Sequence, residues 1–522
     1  MAGKQNRKNR NRIQRHAKQS RQHPNERPKK HGRIIGGGKH HAAASRVLRW
    51  PMRILSQSRV LSCMENIRPE VFFLIAAILF GGIFVFLIPP FQVPDEIAHF
   101  HRAYAISEGH VIMERRDGVT GALMPTSLQA ITSVSENLPF HPEARQDRTR
   151  LRTMMAMPLD PTERTFIVVT GAANYAPIPY LPHLIGIWIG RLIGMPVLGV
   201  FWTARIFGLL GYCGIMALAI RLMPWGKRTL SLLALLPMAL TEAVGISADS
   251  MTMGLTFLFC ALVFRAFADS AFVKEHTGIP LSTWVAFLLL SAALPLCKSL
   301  YILVLGLLLL LPFSGSSNGT PRQVRNLRLI GVGVCWLTAI AVFAIWNRMT
   351  SGLSALSQID GVNAASQISG MIADPVAGAK VIFGSMWSQG KAHLLEMIGV
   401  LGWLDTRLPM WMYLAYMVML ASLFLLDGPS CGWMARCWSG LLFLGISIAV
   451  FASLYMAWTR IGAPAVEGVQ GRYFLPLMPL VAAAIGFRPS ESRRRYAAWL
   501  SGLVPFLLLL TLGVVYLRYW GP

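Results

Sequence analysis

Apolar runs of roughly 15 to 24 residues recur along the chain, separated by short polar connectors. They fall at about 70–88, 199–222, 229–246, 250–268, 280–297, 299–313, 329–347, 409–426, 438–457, 473–487 and 496–518. A helix needs about 20 apolar residues to cross the hydrocarbon of a bilayer, so the pattern predicts about eleven transmembrane helices. One further apolar stretch, "YAPIPYLPHLIGIWIGRLIG" (175–194), carries Pro177, Pro179 and Pro182 near its start and Arg191 near its end. The tendency of basic loops to stay in the cytoplasm decides its placement. If 175–194 does not span, the connectors with Lys227/Arg228, Arg322/Arg325/Arg328 and Arg488/Arg493/Arg494/Arg495 all face the cytoplasm together with the basic N-terminus. If it spans, each of them moves outside. The stretch therefore reads as a surface-lying or re-entrant helix. The outer side then receives a long first outer loop (89–198) holding juxtamembrane helices, "SADS" (247–250), "KSLY" (298–301), a second outer loop (348–408) and "GAPAVEGVQGRYFLP" (462–476).

Composition agrees with that reading. Of 522 residues, 54% are hydrophobic and 14% charged, where a soluble chain carries about 25% charged. The expected fold class is an all-α polytopic membrane protein in contact with the lipid bilayer, with its membrane domain over 69–522. The net charge of +25 is uneven: residues 1–68 hold 18 Lys and Arg against Glu26 and Glu65. With no apolar core, this stretch is expected to be a basic, mostly disordered cytoplasmic arm. Anionic lipid would attract it by about 1 kcal/mol per basic residue near the surface; a nucleic-acid partner is not expected. It is too long, and too polar at its start, for an ordinary cleaved signal peptide. The seven cysteines lie in apolar runs, at Cys63, or in the Cys431/Cys437 loop, and none lies in 89–176. Neither a disulfide framework nor a Cys-based metal site is indicated.

The candidate chemistry sits where apolar runs end. The connector "PPFQVPDEIAHFHRAYAISEGH" (89–110) places Asp95, Glu96, His99 and His101 at the mouth of the first span. Pro94 and Asp95 open a helix, with Asp95 as N-cap and Glu96 in the first turn. On that helix Asp95, His99 and Arg102 share a face, as do Glu96, His99 and Ala103. Simple capping and interfacial histidines would explain this; so would a reactive mouth. Asp95, Glu96 and His99 also have the spacing of ligands for a divalent cation, if one is used; no other cofactor is indicated. Asp249 interrupts an apolar hairpin, as a helix cap or as part of a site. Lys298 lies between two apolar runs, the second only about 15 residues long, and such a short span should draw the ammonium inward to an anionic partner. Arg472, beside Gly471, suits phosphate recognition through its forked donors, or snorkelling to the interface. Tyr175, Pro177, Pro179 and Tyr180 read as a rigid lid or as an aromatic belt.

Six motifs occur in order: "PPFQVPDEIAHFHRAYAISEGH", "YAPIPYLP", "SADS", "CKSLY", "GVLGWLDTRLP" and "VQGRYFLPLMP". By these the chain, from about Val71 to Tyr516, resembles the bacterial integral-membrane family known as domain of unknown function 2142. That family is similar in layout to the GT-C superfamily of membrane glycosyltransferases, such as protein mannosyltransferases and lipid A aminoarabinose transferases. They share many spans and a long first outer loop with acidic residues just after span one. The resemblance implies a GT-C-like enzyme of the bacterial inner membrane. It would move a sugar from a polyprenyl-phosphate carrier to a glycan, lipid or protein acceptor at the periplasmic or extracellular face. It implies Asp95 as the base, with Glu96 or His99 orienting the acceptor or a cation, and Lys298 and Arg472 stabilising the departing phosphate. His99, Arg102, Tyr175, Asp249, Lys298, Tyr301, Asp405, Arg472 and Tyr473 are the implied substrate-binding residues. There is no Asp-x-Asp motif, so a nucleotide-sugar donor is disfavoured. A carrier or flippase for a lipid-linked saccharide would also need charges and broken helices within the membrane; a non-enzymatic envelope-assembly protein is the third reading.

Overall fold

The computed structural model describes residues 65–522 apart from 273–278, 314–321, 354–360, 429–430 and 487–489. The basic arm expected over 1–68 lies almost wholly outside the described residues.

The first apolar run forms α1 (Pro69–Leu87). Proline at its first position is harmless, because the N–H it lacks would find no helical partner there. One face buries Phe73, Ala77, Phe80 and Phe84, while the other exposes Ile75, Leu79, Ile83 and Phe86. An exposed apolar stripe at that spacing suits lipid and would be penalised in water. A short connector leads to α2 (Glu96–Ser107). The rest of the stretch 89–198 holds something that hydropathy does not announce, a small antiparallel sheet of β1 (Glu114–Arg116), β2 (Val119–Pro125) and β3 (Arg164–Val168) in that spatial order. Arg115 faces Thr120, and Leu123 faces Phe166. Asp117 and Gly118 both take positive φ at the tight turn, as a two-residue hairpin requires.

The ambiguous stretch 175–194 contains α3 (Leu181–Leu192), about 18 Å long at about 1.5 Å per residue and too short to cross about 30 Å of hydrocarbon. It folds back along the first half of α4 (Val197–Leu222). Gly186 and Gly190 make the close approach possible: a Cβ at Gly186 would lie 2.3 Å from the Thr203 carbonyl oxygen, and one at Gly208 would lie 2.1 Å from the His183 ring. Gly186→Ala is therefore expected to overpack this contact and cost about 1–3 kcal/mol, read as reduced thermal stability in detergent. Unchanged stability would mean that α3 is not seated against α4.

The run 229–246, expected as one span, is broken into α5 (Lys227–Ala234) and α6 (Pro237–Val244). Pro237 has no N–H to give and its ring crowds the preceding turn; Leu236 accordingly takes extended angles, φ −57° and ψ 144°. Next come α7 (Asp249–Phe272) and α8 (Leu281–Cys297). Ser299–Phe313 then winds as a 3₁₀ helix of 15 residues. Runs of that length are uncommon, and at about 2.0 Å per residue this one reaches about 30 Å. Tighter winding thus lengthens a run that looked too short. The stretch 348–408, expected as a loop, contains the end of α9 (Arg322–Thr350) and two further helices, α10 (Ala364–Ala373) and α11 (Pro375–Gly399). After α12 (Met410–Leu426) and α13 (Trp433–Ala457), a 3₁₀ turn at Gly471–Leu477 runs into α14 (Met478–Ile485). The chain closes with α15 (Glu491–Ser501) and α16 (Val504–Tyr519). Among the described residues, six helices are long and apolar enough to cross a membrane, and four more apolar ones are shorter.

The two ends of α1 mark two polar regions. Pro69 at its start borders a recess with Lys227, Arg228, Asp427, Arg494 and Arg495; beyond its last turn lies Asp95. Asp160 and Arg325 are both exposed. With the basic end cytoplasmic, Asp160→Cys should label from outside, and Arg325→Cys only after permeabilisation, in a background free of native cysteines. Outside labelling at 325 would overturn that orientation.

Candidate active site

The corner between α1 and α2 is locked by a buried ion pair. Arg205, on α4, donates Nε and Nη2 to the two Glu96 carboxylate oxygens at 2.8 and 2.6 Å. Its remaining N–H groups go to the carbonyls of Val85, Ile88 and Pro89 at 3.0, 2.8 and 3.1 Å. These include orphan acceptors at the C-terminal end of α1. Glu96 also accepts the backbone N–H of Phe91 and of Ile246, both at 2.9 Å. All five guanidinium donors and about four carboxylate lone pairs are thereby used. Both side chains are fully buried. The expectation that Glu96 joins the chemistry or holds a cation is corrected on this ground: no lone pair is left for a proton or a metal.

Asp95 points the other way. It sits at the head of α2 with φ 64° and ψ 4°, in the left-handed region, and makes no side-chain cap bond. The capping reading of its side chain is thus corrected. Left-handed backbone at a residue other than glycine is uncommon, though Asp and Asn tolerate it better than most. The carboxylate instead accepts Arg472 Nη2 at 3.0 Å and remains 57% exposed, against 4% for the arginine. Arg472 Nη1 donates to Glu242 at 3.0 Å, and Nε lies 3.5 Å from Asp249. Asp249 also pairs with Lys298, whose ammonium stands 4.7 Å from the centre of the Tyr473 ring. Tyr301 donates its hydroxyl to the Tyr473 carbonyl at 2.7 Å, which fixes the backbone next to Arg472. Ser247 donates to Glu242 at 3.2 Å and accepts the Asp249 N–H at 3.2 Å.

His99 forms the aromatic wall of this cluster. Its Nδ1 lies 2.6 Å from the Tyr180 hydroxyl, and its ring meets Tyr175 edge-on at 5.1 Å. Burial pushes its pKa down to about 4, opposed by the nearby carboxylates of Asp95 and Asp249. His99 is therefore neutral at pH 7, a hydrogen-bonding group rather than a third cation.

The fold gathers Asp95, His99, Tyr175, Asp249, Lys298, Tyr301, Arg472 and Tyr473 from five separated stretches of sequence. It leaves out two substrate-binding candidates. Arg102 is buried and spends its donors on the carbonyls of Tyr175, His110 and Val111, holding Tyr175 in place. Asp405 accepts Arg518 at 3.3 Å and the Phe140 N–H at 3.1 Å, pinning the stretch 89–198 to the end of α16. Two residues of consequence were not anticipated, Glu242 and Arg205. Each is a charge inside an apolar run, and that alone was a usable signal. Among the described residues no group of three or more His, Cys, Asp or Glu side chains is gathered as for a metal ion. Of the three residues with ligand spacing for a cation, if one is used, Asp95 faces Arg472, Glu96 is spent on Arg205, and His99 Nδ1 meets the Tyr180 hydroxyl.

The cluster can do two things. An accessible carboxylate can take a proton, and two cations beside it can stabilise an anion. No curated protein and no solved structure matches the chain. The sequence pattern of one family, described as "Predicted membrane protein (DUF2142)", matches residues 78–481. That span covers most of the chain and every residue of the cluster, so the chain belongs to this family of membrane proteins.

Proposed function

We propose that the chain is a GT-C-like membrane glycosyltransferase that moves a sugar from a polyprenyl-phosphate carrier to a cell-envelope glycan, lipid or protein. The transfer takes place at the outer face of a bacterial inner membrane, with the basic end in the cytoplasm. Eleven crossings are counted when the broken pair α5–α6 is taken as one. The observation that carries the reading is Asp95, a left-handed, solvent-reaching carboxylate tied to Arg472. Nothing in its side-chain contacts serves the helix it heads, so its backbone strain calls for a task outside local structure.

In the reaction, the acceptor hydroxyl oxygen bonds to the anomeric carbon and loses its proton to Asp95. The bond from that carbon to the phosphate oxygen breaks, and its electron pair leaves with the phosphate. The leaving group gains negative charge as it departs, and Arg472 and Lys298 are there to meet it. Both cations already face carboxylates, so a substrate phosphate gains little on binding, while charge that develops during bond breaking gains more. His99 and Tyr175 supply the wall against which a sugar ring can be oriented.

Membranes holding the chain, incubated with radiolabelled polyprenyl-phosphate sugars, are expected to move label covalently to an acceptor. Label crossing the bilayer without transfer would instead make the chain a flippase. If neither event occurs, the enzymatic reading is left without support.

A further inference from the structure

At the end of α1 remote from Asp95, about 28 Å away along a 19-residue helix, the bundle opens into a polar recess of about 650 Å³. Its cations come from two separate stretches: Lys227 and Arg228 open α5, and Arg494 and Arg495 lie in α15. Two carboxylates share the recess, and both have partners of their own. Asp427 accepts the backbone N–H groups of Arg228 and Thr229 at 2.7 and 3.2 Å. Glu65 accepts the Trp499 indole N–H at 3.0 Å and stands 4.0 Å from Arg495. Four cations against two engaged carboxylates leave a positive excess. Arg494 and Arg495 are both exposed.

We infer that this recess binds the phosphodiester headgroup of an anionic phospholipid. Its position selects a lipid over a dissolved anion. Pro69 begins α1 and Trp225 follows the end of α4, so the recess lies at the level where spanning helices emerge. Trp225 in its wall and Trp499 beside it are side chains suited to that interface. Forked guanidinium groups match phosphate oxygens in pairs, and basic pockets between helices on the cytoplasmic side are where headgroups bind. The inference is independent of the reaction proposed above.

The test is native mass spectrometry of the full-length protein in detergent, titrated with phosphatidylglycerol or phosphatidylcholine. One phosphatidylglycerol should be retained in preference to phosphatidylcholine. Arg494→Ala with Arg495→Ala should weaken that tightest site by roughly 25-fold, about fivefold per arginine. The arm over 1–68 is present in both proteins, so its own lipid attraction cancels in the comparison. Arg494→Lys with Arg495→Lys should keep most of the binding; Arg494→Ala alone keeps the test open if the double alanine variant misfolds. Equal retention of the two lipids, or no loss in the alanine variants, would overturn the inference. So would displacement of the lipid by millimolar inorganic phosphate, which would make the ligand a soluble anion.

Discussion

Asp95→Asn is expected to lower sugar transfer by about 10²–10⁴-fold, the usual cost of removing a general base, with expression and thermal stability close to the parent protein. Asparagine tolerates left-handed backbone about as well as aspartate, and its amide oxygen can still accept Arg472 Nη2. It cannot take up a proton from an attacking hydroxyl. Asp95→Ala should lose the same activity and also some stability, because alanine at φ 64° is strained. The pair of variants thus separates chemistry from backbone. Near-normal transfer by Asp95→Asn at parental expression would end the assignment of Asp95 as base. The other carboxylates of the cluster are weaker candidates, since Asp249 and Glu242 are each largely buried against cations.

Breaking the Glu96–Arg205 pair should have the largest effect on the fold. Removing one partner of a buried ion pair strands the other charge, at about 3–5 kcal/mol. Arg205→Met should therefore strand Glu96 and also leave the carbonyls of Val85, Ile88 and Pro89 without their donor. Glu96→Gln is milder in shape but still loses the bidentate contact. Both should show as loss of correctly inserted protein or as a lowered melting point in detergent. Combining Glu96→Met with Arg205→Met should cost less than the two single changes added together, because neither charge is then stranded. The double variant should still fall short of the parent, since the N–H groups of Phe91 and Ile246 lose their acceptor. A stable, well-inserted Glu96→Gln protein that lacks only transfer would show that Glu96 does chemistry after all.

How much of this was legible follows from what periodicity can carry. Six of the expected spans were legible as helices long and apolar enough to cross, because a bilayer imposes a length on apolar runs. Most of the cluster was legible because Asp249, Lys298 and Arg472 interrupt or border such runs, and charges there need a reason. The opposite fates of Asp95 and Glu96 were not legible. They are neighbours in sequence, and only the left-handed turn at Asp95 sends one carboxylate to Arg472 and the other to Arg205. Glu242 sits in "MALTEAVG", inside the run 229–246 that hydropathy presents as one span, and the break at Pro237 that sets it at the cluster has no mark in hydropathy. The sheet of β1, β2 and β3 lies in a mixed-polarity loop, where a period of two is too weak to read. The 3₁₀ winding of Ser299–Phe313 has no signature in composition, since the same leucines would serve an α-helix.

The buried pair also constrains how the chain can be made. Glu96 and Arg205 are 109 residues apart, which at about 5–20 residues per second is about 5–20 s of synthesis. During that interval the first helix has entered the bilayer with its last carbonyls unanswered and an acidic side chain waiting for a partner not yet built. The first span is provisional until the second helix of the bundle arrives. A ribosome-bound chain stalled before residue 205 should therefore leave the segment around residue 90 open to protease from the outer side, and release of a longer chain should close it.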